Sequence, residues 1–331
     1  MKLLIRVIPI ISVLFFYACS LEEPEDPQSN INSETLENID VVTDNILKIA
    51  TNNANQTLKN GQKSSSEFSD WSGKVTVKTF FAESGPSSHN NNAIAHVDPD
   101  YVLVGGGAFT NYRGVGALLT ESRPSENLTD WIASSKDHLR VDSHTLTVYA
   151  IGLKLEGVSA DQLRQYIKLS KRTSSGQSHP NTFATVTNGY TLIGGGAKVN
   201  WSGAGNLLVH SYPSGSSWYV KSKDHLRGNP ASITAYAIGI KRDIPNFGRL
   251  NIATNSNRAY ANNNQVGVST SFIPNGWVVT CPGGRTSFNG VGRLLTMIKP
   301  THNSVTVRSK DHIRPDSGNI WSYAVRVQKA N

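Results

Sequence analysis

The sequence predicts an all-β fold built from three tandem repeats of about 87 residues. The phrase Ser-Lys-Asp-His-Leu/Ile-Arg occurs three times, beginning at Ser135, Ser222 and Ser309, with a constant spacing of 87 residues. Short runs rich in Val, Ile, Thr and Tyr alternate with Gly and Pro, which is the pattern of strands joined by turns. A repeat of this length indicates one supersecondary unit copied three times.

The first nineteen residues are predicted to be a signal peptide. Lys2 and Arg6 accompany an apolar run from residue 3 to residue 16, as in secretory signals. Tyr17-Ala18-Cys19-Ser20 resembles the lipobox of bacterial lipoproteins, and the acidic residues 22–26 resemble the surface-export tag of Bacteroidetes lipoproteins. The resemblance implies lipidation of Cys19 and a protein anchored at the outer membrane, facing the cell exterior. The alternative is an ordinary secreted protein.

Charge divides the remaining chain into two parts. Residues 20–70, predicted to be a tether with a short helical stalk from Ser33, carry a net charge of −7, whereas residues 71–331 carry +13. A basic body favours an anionic partner. Predicted export argues against nucleic acid and favours acidic glycans or a membrane surface. A basic protein with no specific polyanion is the alternative.

Each repeat presents the same series of predicted elements. A strand opens the unit, from residue 75 to residue 81 in the first copy, and a glycine-ended strand, an aromatic residue, Gly-x-Gly, Leu-Leu and Pro follow. The shared phrase and a β-rich run complete the unit. The repeats are predicted at 71–157, 163–243 and 249–331. Each is expected to form a small antiparallel β-sandwich, with a closed pseudo-threefold β assembly as the alternative.

Strand alternation suggests how the shared phrase is oriented. In the first copy Trp131, Ala133, Ser135 and Asp137 are expected to point inward, and Asp137 to accept backbone N–H groups at a turn. The lysine and histidine are then expected to point outward to a ligand. The predicted substrate-binding residues are the outward cations and the aromatic residues before Gly-x-Gly: Lys136, His138, Arg140, Lys221, Lys310, His312, Arg314, Tyr112, Trp201 and Phe288.

Several chemistries are disfavoured by the residues present. No pair of Cys or His residues has zinc-ligand spacing, the repeated carboxylate is single where a glycosidase needs two, and no serine-hydrolase elbow is found. Cys281 stands where the other copies have the first glycine of a triplet, so a core position is expected. The sequence indicates no cofactor and leaves Ca²⁺ open.

The available groups suit β-elimination on a uronate-bearing polysaccharide, which needs a cation, a base and an acid. The second repeat offers the most candidate groups, because it alone has a histidine, His210, where the other copies have Glu121 and Met297. The predicted catalytic residues are His225, Lys223, Tyr236, His179 and Arg227. The alternative is a non-catalytic, lectin-like protein with up to three equivalent sites.

The lipobox and the basic, Lys/His/Tyr-bearing β body together resemble surface lipoproteins of polysaccharide-utilisation systems. In class the body resembles a lyase acting on anionic polysaccharides such as ulvan. This resemblance implies an anionic polysaccharide as partner and the outer membrane as location. It assigns no catalytic residue.

Overall fold

In the computed structural model, residues 63–65 and 67–331 are described, and this part of the chain is an all-β body. The predicted fold class is confirmed: three antiparallel sheets of 6–8 strands are present, and 61% of the described residues lie in strands. The predicted signal peptide, the lipobox with Cys19 and the stalk helix lie outside the described residues. Within that part, no helix is long and apolar enough to cross a bilayer.

Each sheet joins strands of two repeats, and we name it by them. Sheet 1/3 has the order β1 (Lys63–Ser64), β3 (Val75–Glu83), β8 (His144–Leu155), β5 (Val102–Tyr112), β19 (Leu294–Pro300), β20 (Ser304–Lys310) and β17 (Gly267–Phe272), with β2 (Phe68–Ser69) paired to β3. Sheet 1/2 has the order β4 (Asn90–His96), β7 (Asp130–Lys136), β6 (Leu118–Pro124), β11 (Thr191–Asn200), β14 (Ser232–Ile240) and β9 (Ile167–Thr173). Sheet 2/3 has the order β10 (Asn181–Thr185), β13 (Ser217–Lys223), β12 (Leu207–Ser214), β18 (Val278–Thr286), β21 (Gly318–Lys329), β16 (Gly248–Ala261) and β15 (Asp243–Ile244).

This strand order differs from three sandwiches that each close on themselves. Every repeat gives three strands to one sheet and three to the next, so repeat 1 joins repeat 2, repeat 2 joins repeat 3, and repeat 3 joins repeat 1. The result corresponds to the closed pseudo-threefold alternative. A one-turn helix, α1 (Ala160–Arg164), fills the connector between repeats 1 and 2, and Ser159 caps it by accepting the N–H of Gln162.

The inner faces pack into one large core that contains residues of all three repeats. Trp131 and Trp218 are buried beside Gly106 and Gly195, where an added Cβ would lie 2.4 Å from the indole. Repeat 3 has Pro282 and Val305 at the two equivalent positions. A tryptophan therefore packs against glycine in repeats 1 and 2, and the smaller Val305 allows the larger Pro282 in repeat 3, as dense packing requires.

The three copies of the first triplet position meet in the interior. A Cβ on Gly105 would lie 2.7 Å from the Cβ of Cys281, and one on Gly194 would lie 3.1 Å from it. The two glycines therefore leave room for a single side chain, which is Cys281. Burial raises the pKa of its thiol to about 12. The expected core position of Cys281 agrees with its complete burial.

Candidate functional site

The lysine and histidine of the shared phrase hold the repeats together. Lys136 donates to the carbonyl oxygen of Ala204 at 2.6 Å, and its ammonium lies 4.1 Å from the ring centre of Trp201. His138 Nδ1 lies 2.8 Å from the same carbonyl oxygen. Repeat 1 thus grips the Gly-x-Gly loop of repeat 2 with two side chains and one cation–π contact.

The same grip recurs in the other two copies. Lys223 and His225 contact the carbonyl oxygen of Val291, and the Lys223 ammonium lies 4.6 Å from the Phe288 ring. Lys310 and His312 contact Val115, and Lys310 lies 4.6 Å from the Tyr112 ring. Burial lowers the pKa of all three lysines. The grips run from repeat 1 to 2, from 2 to 3 and from 3 to 1.

The predicted outward orientation of these lysines and histidines is wrong. Lys136, Lys223 and the three histidines are buried. The reason is tertiary, because the loop of the next repeat covers the outer face at this end of β7, β13 and β20. A side chain that points away from the core there is buried between two repeats. Tyr112, Trp201 and Phe288, predicted to stack on sugars, each lie under a lysine of the neighbouring repeat.

His138, His225 and His312 form a ring about the pseudo-threefold axis, with ring centres 5.4–5.7 Å apart. Each Nε2 lies 2.6 Å from the carbonyl oxygen of the next histidine in the ring. Both nitrogens of each imidazole therefore face carbonyl oxygens, although a neutral imidazole carries one N–H. Burial outweighs those carbonyls and lowers the pKa of His225 to about 4.

The aspartate of the phrase anchors a turn, as predicted. Asp137 accepts the backbone N–H of His89, and Asp311 accepts those of Asn264 and Asp316. In the second copy the partner is a side chain: His179 Nε2 lies 2.8 Å from Asp224.

The structure does not bring the five predicted catalytic residues together. His225 and Lys223 lie at the axis, and His179 pairs with Asp224 next to them. Arg227 is exposed just beyond the ring. Tyr236 lies on a different surface, the outer face of sheet 1/2, where the Arg123 guanidinium is 5.3 Å from its ring.

The three copies differ most on the outer faces of the sheets. At the seam between two repeats, equivalent positions hold Glu121 opposite Lys198 in sheet 1/2 and Met297 opposite Phe109 in sheet 1/3. Sheet 2/3 has His210 opposite Arg285. One seam is therefore an ion pair with 3.9 Å between Nζ and Oε1, one is apolar, and one is basic.

The outer face of sheet 2/3 carries a continuous row of basic and aromatic residues across five strands. Cross-strand partners share a face, and the pairs Arg258–Trp321, Trp321–Arg285, Arg285–His210 and His210–Lys221 follow one another from β16 to β13. The Arg285 guanidinium lies 4.5 Å from the Trp321 ring. The equivalent rows of the other two sheets each combine one cation with one carboxylate: Lys198 with Glu121, and Arg308 with Glu83.

A second row on the same face is aromatic. Tyr323 stacks on Tyr212 with ring centres 5.0 Å apart, Tyr212 lies 5.4 Å from Tyr219, and Tyr219 is the cross-strand partner of Phe183. Gly283 lies between Tyr212 and Tyr323, where a side chain would touch the Tyr212 backbone. We call the basic row and the aromatic row together the 2/3 face.

His210 is the neutral member of the basic row. Its Nε2 donates to the carbonyl oxygen of Thr286 at 2.9 Å, and its buried Nδ1 has no hydrogen-bond partner. Burial lowers the pKa of His210 to about 3, and the charges of Arg285 and Lys221 act in the same direction. The row therefore presents two arginines and a lysine around an uncharged imidazole at neutral pH.

Sequence reasoning identified His210 and Lys221 but missed Arg258, Arg285 and Trp321. A signal existed, because Trp321 stands where the other copies have Thr147 and Thr234, and Arg285 where they have Phe109 and Lys198. Among residues 63–65 and 67–331, no group of three or more His, Cys, Asp or Glu side chains has the arrangement of a metal site. No protein-family model and no curated protein matches the chain.

Proposed function

We propose that the protein binds an extended anionic polysaccharide on the 2/3 face, without cleaving it. The observation that carries this proposal is the pairing of a basic row with an aromatic row on the outer face of one sheet. Guanidinium and ammonium groups suit carboxylates and sulfates, and aromatic rings suit the apolar faces of sugar rings. The proposal selects the binding alternative of the sequence analysis and moves the site from the shared phrase to the sheet.

The length of the face supports a polymeric ligand. Four strand spacings separate Arg258 from Lys221, which corresponds to about 19 Å at roughly 4.8 Å per strand. A chain lying across the strands would meet Arg258, Arg285 and Lys221 in succession. The aromatic row runs parallel to it, one residue pair further along the strands.

Binding without cleavage fits the positions of the candidate bases. Both nitrogens of His225 contact backbone carbonyls, and Lys223 is engaged by Val291. His210 Nδ1, the free lone pair on the 2/3 face, is covered by protein atoms. A general base must reach the proton that it removes. β-Elimination by His225 therefore stays a prediction, tested by the same substrates.

The predicted lipid anchor at Cys19 and outer-membrane display complete the proposal. A protein held at the cell surface meets exported polymers and not intracellular nucleic acid. The two rows are also groups that bind single-stranded nucleic acid, so nucleic acid belongs among the test ligands.

Affinity electrophoresis in gels containing ulvan, alginate or a neutral glucan tests the proposal. We expect retardation by the acidic polymers that weakens with salt, because salt screens the attraction between the polymer and the partly exposed basic groups. Arg285→Ala is expected to weaken retention about tenfold, the effect of roughly 1.4 kcal/mol. The matched control is Arg308→Ala, which removes an arginine from the row of sheet 1/3 and should retain binding.

Three results would contradict the proposal. Equal retention of the Arg285→Ala variant and the wild type would exclude the 2/3 face. Rising absorbance near 235 nm with any uronate polymer would show cleavage, and its loss in His225→Ala would support the lyase. Tighter binding of a single-stranded oligonucleotide than of every polysaccharide would show that the ligand is nucleic acid and not polysaccharide.

A further inference from the structure

A second surface lies at the end of the body beyond the histidine ring. The residue after each ring histidine is apolar and exposed: Leu139 by 48%, Leu226 by 43% and Ile313 by 38%. An exposed arginine follows each of them, namely Arg140, Arg227 and Arg314, and no ion pair involves these arginines within the described part of the chain. We call these six residues the crown.

The crown residues are held in strained turns. The N–H of Arg227 donates to the carbonyl of His225 at 2.6 Å, and that of Arg314 to His312 at 2.7 Å, which makes them γ-turns. The central residues have φ of +60° at Leu139, +58° at Leu226 and +64° at Ile313. This conformation is strained in γ-turns and unusual for any bulky residue, above all a β-branched one.

The turns are neighbours because the ring joins them. The carbonyl oxygen of each histidine lies 2.6 Å from Nε2 of the preceding histidine. The carbonyl oxygens of His225 and His312 also accept the N–H of Arg227 and Arg314 within their own turns. The backbone requires the turn, but Gly or Asn would form it with less strain. Three exposed aliphatic side chains at three strained positions therefore point to a role beyond the fold itself.

We infer that the crown is a membrane-docking surface that inserts Leu139, Leu226 and Ile313 into a bilayer containing anionic phospholipid. Aliphatic side chains gain by transfer to hydrocarbon, whereas sugar binding would favour aromatic ones, which lie on the 2/3 face. Arg140, Arg227 and Arg314 complement phosphate headgroups, and Val141, 64% exposed, enlarges the apolar area.

The path of the chain agrees with this orientation. Lys63 pairs with Phe81 and Ser64 with Phe80, so β1 begins at the end of β3 that carries Glu83. Glu83 pairs with Thr147, close to the start of β8, which is the crown end of sheet 1/3. The described chain therefore enters the body at Lys63 on the crown side.

A polarity-sensitive fluorophore on the full chain tests the inference. Cys19→Ser removes any lipid, Val141→Cys supplies a label site beside the crown, and buried Cys281 stays unlabelled. The matched control places the label at Ile94→Cys, 46% exposed on the outer face of sheet 1/2. We expect a blue shift and quenching by lipid-borne quenchers at position 141 only, with phosphatidylcholine vesicles that contain phosphatidylglycerol.

Substitution of the crown separates docking from folding. Leu139→Asn, Leu226→Asn and Ile313→Asn together place a residue that tolerates positive φ, so the fold is retained. The lipid needed for half of the shift should rise about tenfold or more. Replacing each crown arginine by glutamine should raise it roughly fivefold.

Any of three results would overturn the inference. One is an unchanged spectrum at position 141 with anionic vesicles. Another is an equal shift at position 94, which means general adsorption. The third is a blue shift that the three asparagine substitutions leave unchanged. A blue shift produced by acidic polysaccharide but not by vesicles counts in the same way, since it would identify a different ligand.

Discussion

The three repeats have the same residues at the axis but different residues on the outer faces of the sheets. At the axis each copy places a lysine and a histidine on a carbonyl of the next repeat, and each lysine on an aromatic ring. On the outer faces equivalent positions hold Glu121, His210 and Met297. The repeated lysines and histidines join the repeats into a closed ring, whereas the residues that differ between copies give the three outer faces different chemistry.

The most severe way to break the axis is to add volume where the copies meet. Gly105→Ala would place its Cβ 2.1 Å from the carbonyl oxygen of Thr280 and 2.7 Å from the Cβ of Cys281. We expect a loss of about 3 kcal/mol in the free energy of unfolding, because backbone must move. Chemical denaturation measures it.

The control is Gly85→Ala, where no heavy atom lies within 4 Å of the added Cβ. Its unfolding free energy should stay within about 0.5 kcal/mol of the wild type. Equal losses in the two variants would mean that the axis is not closely packed around Gly105.

Removing one histidine of the ring should be the next largest effect. His225→Ala removes one hydrogen-bond partner from the carbonyls of Val291 and His312, which keep Lys223 and the Arg314 N–H respectively, and it opens a cavity. We expect a loss of about 2–3 kcal/mol. His179→Ala, which removes a 54% exposed partner of Asp224, should cost less than about 1 kcal/mol.

This pair also bears on the two functional hypotheses, since both histidines were predicted to be catalytic. Urea denaturation gives the stability of each variant, and retention on polysaccharide gives its binding. If His225→Ala were as stable as the wild type, the ring would not hold the repeats together.

Acid should weaken the axis through its buried histidines. The folded-state pKa of His225, about 4, lies below the unfolded value of 6.5 because of burial. As the pH falls, the unfolded chain takes up the proton first, so the stability is complete above pH 6.5 and is lost between 6.5 and 4. We expect His225 alone to contribute a loss of roughly 1–2 kcal/mol between pH 7 and pH 5.

Burial also lowers the pKa of His138 and His312, which adds to the loss. Thermal or urea unfolding at the two pH values measures the total. His225→Gln removes one titrating group and should show a weaker pH dependence. A pH dependence identical to that of the wild type would assign the effect to other residues.

The sequence predicted the strands, the three copies and the aspartate anchor, because alternation and turn residues are local signals. It did not predict the orientation of Lys136 or His138. Alternation tells which face of a strand a residue occupies, but not that the loop of the next repeat covers that face. Burial by a neighbour 66 or 68 residues away is a tertiary property.

The 2/3 face was also beyond a reading of single residues. Arg285 belongs to repeat 3 and His210 to repeat 2, and their adjacency depends on the sheet that joins the repeats. Sandwiches closed within each repeat would have kept them apart. Comparison of the copies position by position could still have singled out Trp321, since the other two copies have threonine there.

The smallest effect on stability, and the sharpest test of the contrast, comes from making two faces alike. His210→Glu introduces into sheet 2/3 the residue that sheet 1/2 has at this position, opposite Arg285 as Glu121 is opposite Lys198. The new carboxylate finds Arg285 and Lys221 beside it, so the unfolding free energy should change by less than about 1 kcal/mol. Retention on acidic polysaccharide should fall about tenfold, because the centre of the basic row becomes negative. The reverse exchange, Glu121→His, alters a face that carries no such row and should leave retention unchanged. If His210→Glu bound as tightly as the wild type, divergence on the outer faces would not mark the ligand surface.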